Sequence, residues 1–154
     1  MKRKEIFWLI GTATFVLIIN FSLFGVDGFK SESVTDINVH DTYFVIANIH
    51  FILPLSILIF FSVYLIRMLK QNFKNLTANM IFVISGVLSI WILTGMISFV
   101  NSYIGVTETT DYNLLVTNKI FDNVSTVLYL LQIIIVGLIV YSGFKTGRNY
   151  KLTE

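Results

Sequence analysis

The sequence predicts an all-α integral membrane protein: a four-helix bundle, residues 1–154 forming a single transmembrane domain with both termini in the cytoplasm. Three observations carry this. Only 13% of residues are charged while 55% are hydrophobic, against about 25% charged in soluble domains. The charges are absent from four long runs, residues 6–24, 43–65, 80–100 and 124–144. The charges between those runs alternate in sign.

Each run is about 19–23 residues long. At 1.5 Å per residue such a helix covers roughly 30 Å, the thickness of the hydrocarbon core. A charge at a helix centre costs about 2.5–3.5 kcal/mol on insertion scales, so four charge-free runs of this length read as spans. Lys2, Arg3 and Lys4 precede the first, and Asp27, Glu32, Asp36 and Asp41 outnumber Lys30 before the second. Arg67, Lys70 and Lys74 follow the second. Glu108, Asp111 and Asp122 outnumber Lys119 before the fourth, and Lys145, Arg148 and Lys151 come after it. Basic residues mark the cytoplasmic side, so the order is in–out–in–out–in.

The first span has a second reading. Three basic residues before an apolar run also describe a secretory signal peptide, but this run is longer than usual and no Ala-x-Ala site follows it. Retention is the expectation. The short link 67–79 predicts that the second and third helices are antiparallel neighbours. Residues 112–116 read as a strand or an interfacial stretch, with an alternation too weak to choose between them. The absence of cysteine excludes disulfides and thiolate metal sites. A formal charge of +2 gives no reason to expect nucleic acid. Polar residues within the spans, among them Ser85, Ser89, Thr94, Ser125 and Gln132, read as interhelical packing groups. No charged residue lies inside a span, which argues against ion or proton transport.

One segment carries chemistry: Val39-His40-Asp41-Thr42-Tyr43-Phe44-Val45-Ile46-Ala47-Asn48-Ile49-His50-Phe51, which holds both histidines of the chain. His40 and Asp41 are ligand types suited to a hard cation such as magnesium, although two ligands do not complete an octahedral site. Alternatively, Asp41 caps the second helix and His40 is solvated. His50, seven residues past Tyr43, is expected roughly 10 Å below the helix end, where an ionisable side chain marks a functional site by default. It can ligate haem iron or make an interhelical hydrogen bond. Pro54 lacks the N–H that would reach the His50 carbonyl, which predicts a kink and a free acceptor there. Asn48 and His50 lie about 200° apart around a helix and face opposite sides.

This segment resembles the tenth-helix signature of subunit I of the haem–copper oxidases, His-Asp-Thr-Tyr-Tyr/Phe-Val-Val-Ala-His-Phe-His-Tyr. Residues 40–47 match except at Ile46. The resemblance implies that His40 and Asp41 lie beside a magnesium site on the outer surface. It also implies that His50 stands where the low-spin haem takes its ligand. The spans from Tyr43 onward would correspond to the last three helices of that subunit, and the first span to the helix before them. Asn48 replaces the iron ligand of the oxygen-reducing centre, Ile49 an aromatic residue, and Pro54 a small one. The family's copper ligands come from earlier helices without counterpart here. No copper and no catalytic residue are therefore expected.

The implied function is a non-catalytic accessory or assembly component of a respiratory membrane complex. The alternative is a haem-binding electron carrier with His50 as axial ligand. A channel, transporter or sensor is the third class. The expected setting is a lipid bilayer, taken as the bacterial inner membrane, with a homo-oligomer or other membrane subunits as partners. The absence of native thiols makes topology directly testable. Asp36→Cys and Asp111→Cys should react with a membrane-impermeant maleimide added to intact cells, and Lys74→Cys and Lys151→Cys should not. Outside labelling at position 74 would refute the topology.

Overall fold

The computed structural model describes residues 3–39, 42–104 and 112–151. Four helices dominate: α1 (Arg3–Phe24), α2 (Ile49–Lys70), α3 (Leu76–Ile104) and α4 (Tyr112–Lys151). All four are long and apolar enough to cross a membrane. Between α1 and α2 lie a single 3₁₀ turn, Asp27–Phe29, and two antiparallel strands, β1 (Val34–Val39) and β2 (Thr42–Ala47), paired from Val34↔Ala47 to Val39↔Thr42.

The hairpin corrects one expectation. The second span begins at Ile49, not Tyr43, and extends to Lys70. Residues 42–47 are Thr-Tyr-Phe-Val-Ile-Ala, rich in the β-branched and aromatic side chains that suit strands. An apolar run of that length does not reveal its own period, so it was continuous in hydropathy with the helix behind it. Of the two readings left open for residues 112–116, the structure excludes the strand, since they form the first turns of α4. At 40 residues α4 is about 60 Å long, twice the hydrocarbon thickness. The span expected at 124–144 lies wholly within it.

The chain divides into two compact units, Met1–Ser85 and Gly86–Glu154. In the first, α1 and α2 run antiparallel. Glu5 of α1 meets Arg67 of α2, Asn20 meets Ser56, and the rings of Phe24 and Phe51 lie 6.3 Å apart. Numbers rise along α1 as their partners fall along α2. Gly25 ends α1 in the left-handed region (φ +65°) and donates its N–H to the Phe21 carbonyl, a conformation glycine adopts without steric penalty.

The turn from α2 to α3 is tight. Asn72 and Phe73 both have positive φ (50° and 63°), ordinary for asparagine but strained for an aromatic residue. Phe73 buries its ring there and donates its N–H to the Met68 carbonyl. Asn75 then starts α3, its side chain accepting from the Ala78 N–H as an N-cap. Across this helical hairpin Phe61 stacks on the fully buried Phe82, 5.0 Å between centroids. Within the first unit, the short link thus brings the start of α3 back against α2 at this ring pair.

In the second unit two hydrogen bonds join α3 to α4: Gln132 to Thr94 (2.9 Å) and Ser125 to Asn101 (2.8 Å). The partners are seven residues apart on each helix, in opposite directions. Seven residues is nearly two turns, so both bonds lie along one antiparallel seam, with Ile97, Leu128 and Ile135 buried. Most apolar side chains remain outside. Only 17% of the most apolar window of α4 and 11% of that of α2 are buried within the protein, leaving broad faces suited to lipid.

Candidate functional site

Two polar centres lie at opposite ends of the first unit. The one at the α1–α2 connection contains the residues singled out by the sequence. His40 and Asp41 lie outside the described residues. α2 starts at Ile49, with Asn48 in the N-cap position. His50 is the second residue of α2 and exposed. It therefore sits in the first turn, and not 10 Å along the helix as expected. Among the described residues its ring makes no hydrogen bond. Asn48, the residue before the helix, is buried (5% exposed), while His50 is exposed.

Asn48 is fully engaged. Its Nδ2 donates to Ser33 Oγ (2.7 Å), and its Oδ1 accepts from Thr35 Oγ1 (2.6 Å). Its backbone N–H donates to the Ser33 carbonyl, and its own carbonyl accepts from Phe51 and Ile52. One side chain thus ties the helix start to the strand β1 and the residue before it. The packing is close enough to require Gly28, where a Cβ would collide with Phe24 Cβ and come within 3.4 Å of Asn48 Nδ2. With both amide atoms committed inside the protein, Asn48 is a structural fastener. No cluster of three or more His, Asp or Glu side chains forms among the described residues.

The other centre was not anticipated. Glu5 Oε1 accepts from Arg67 Nη2 at 2.6 Å and from Asn75 Nδ2 at 2.5 Å. Both members of the ion pair are about 95% buried. The Arg67 guanidinium also lies 4.8 Å above the Trp8 ring centroid and 5.9 Å from that of Tyr64, attractions that persist out of water. The cluster joins α1, α2 and the cap of α3. Sequence reading passed over it because both charges flank the charge-free runs, Glu5 just before the first and Arg67 two residues past the expected end of the second. The available signal was Glu5 itself, an acid standing directly after Lys2-Arg3-Lys4 at the membrane edge.

No protein-family model, curated protein or solved structure matches the chain.

Two substitutions probe these centres. Arg67→Ala leaves Glu5 buried and unpaired and should cost about 3–5 kcal/mol, whereas the double variant Glu5→Gln/Arg67→Met should cost far less. Unfolding in mixed micelles with increasing dodecyl sulfate, followed by circular dichroism, measures both; equal losses would remove the pairing argument. Asn48→Ala strands the Ser33 and Thr35 hydroxyls and should cost about 1–3 kcal/mol. It should also speed amide exchange in β1 and β2 while leaving α3 unchanged, as hydrogen-exchange mass spectrometry would show.

Proposed function

We propose that this chain is a non-catalytic subunit of a respiratory membrane complex, serving as an accessory or assembly component beside a haem–copper oxidase. The reading rests on the likeness of residues 39–51 to the oxidase signature, and the observation that carries it is Asn48. At the position where the likeness calls for the iron ligand stands an amide with both atoms bonded to the chain before it. On this reading, the residue at the ligand position holds the hairpin on the helix instead. Such a chain retains a surface related to an oxidase subunit but not the means to reduce oxygen.

The described residues do not fit haem as a resident group. His50 offers one imidazole on an open helix face, and haem in a low-spin site needs a second strong axial ligand. Met80 and Met96, the methionines on α3, are exposed. A carrier function would therefore need a second copy or another subunit to supply that ligand, and His50 is placed outward where one could approach.

The test is blue native electrophoresis of mildly solubilised membranes carrying the tagged full chain. The chain should migrate in an assembly that also holds oxidase haem and oxygen-consuming activity. Migration solely as a monomer or a homo-oligomer would overturn the reading. The purified chain should be colourless and consume no oxygen. A Soret band that His50→Ala abolishes and His40→Ala preserves would select the carrier function instead.

A further inference from the structure

An open groove of about 400 Å³ runs along α1 beside α2, lined by Phe7, Trp8, Gly11, Thr12, Phe15 and Val63. Its walls are apolar. The one hydroxyl, on Thr12, is buried and donates to the Trp8 carbonyl (2.8 Å), leaving nothing for a polar guest. Gly11 forms its floor, with no atom within 4 Å of where a Cβ would stand. The groove lies on a membrane-spanning flank, so its occupant comes from the bilayer.

The charges above it say which occupant. Lys4, Trp8, Gly11 and Phe15 follow the i, i+4, i+7, i+11 spacing of one helix face, and Arg3, Phe7 and Gly11 form the adjacent row. On α2, Val63 and Lys70 are seven residues apart, also on one face. The rows that line the groove therefore end in Arg3, Lys4 and Lys70. All three are exposed, and none is paired with an acid among the described residues. Glu5, the one acid at this end of the unit, is buried against Arg67. The same Arg67 holds Trp8 in place as the groove's upper wall. Lys4 lies about 6 Å beyond Trp8 along the axis, a depth at which tryptophan sits at the headgroup boundary and the next turn reaches the phosphates.

We propose that this groove binds one anionic phospholipid, an acyl chain lying against Gly11 between Phe7 and Phe15 and the headgroup phosphate held by Arg3, Lys4 and Lys70. Basic residues flanking a cleft between membrane helices attract anionic headgroups, and the apolar cleft fixes the lipid's position. The site is independent of the oxidase resemblance and lies at the opposite end of α2 from His50.

Native mass spectrometry of the delipidated full chain in detergent tests it, with phosphatidylglycerol, phosphatidylcholine of the same acyl chains, and inorganic phosphate as probes. One phosphatidylglycerol should bind about tenfold or more tightly than phosphatidylcholine. The Arg3→Gln/Lys4→Gln/Lys70→Gln variant should lose that preference. Gly11→Leu, which fills the open floor, should weaken both lipids, and millimolar phosphate should not compete. Equal binding of the two lipids, a preference that survives the triple variant, undiminished binding to a folded Gly11→Leu protein, or competition by phosphate would each overturn the proposal. The triple variant alters only exposed side chains, so the comparison of lipids stands even if Gly11→Leu folds poorly.

Discussion

Hydrocarbon offers a peptide group no hydrogen-bond partner, and an unsatisfied N–H or carbonyl there costs several kcal/mol. Within the spans the backbone is helical, and the hydroxyls and amides carried by those helices turn back on their own chain. Thr12, Asn20, Ser56, Thr94 and Thr126 each donate to the carbonyl four residues earlier. Three of these groups serve a second purpose. Asn20 reaches Ser56 across α1 and α2, and Thr94 accepts from Gln132 across α3 and α4. Most of these polar atoms bond locally and some reach a neighbouring helix, while Asn20 Oδ1 and the Tyr64 hydroxyl are buried without a hydrogen-bond partner among the described residues. The β hairpin lies outside the four long helices, in keeping with the same constraint, since its two strands leave open edges.

The first unit is fastened differently along its length. In its middle, Phe61 and Phe82 pack ring on ring. At one end Asn48 binds the hairpin to α2, and at the other the Glu5–Arg67–Asn75 cluster binds α1 to α2 and to the cap of α3. The two ends differ in strength. Neutral amide contacts contribute modestly to stability, while a buried ion pair contributes little net but is severely damaging to break. The charged end therefore specifies which helices meet more than it deepens the fold.

How far the fold was legible in the sequence follows from the same physics. Charge-free runs of bilayer length mark helices because lipid penalises every exception, and all four were found. The start of α2 was misplaced because Thr42–Ala47 is as apolar as the helix that follows, and only pairing with Val34–Val39 reveals it as a strand. That pairing depends on Thr35, Ser33 and Asn48 meeting in space, which no spacing rule announces. The helix-face argument for Asn48 and His50 assumed a helix running through both, whereas Asn48 stands at the cap before it. The depth of His50 failed because it needed the helix boundary. Glu5 and Arg67 were read for topology alone, since a charge at a span's edge carries a strong positional meaning that hides a second role.

The 62-residue separation between Glu5 and Arg67 bears on how the protein is made. A ribosome adding about 5–20 residues per second takes roughly 3–12 s to cover that distance. For most of that interval, once Phe24 has been added, α1 is complete, yet Glu5 lacks the Arg67 partner against which it is buried in the folded protein. The contact that locks α1 to α2 at this end can form only after the end of α2 has been made, so the pairing of the two helices there waits on translation.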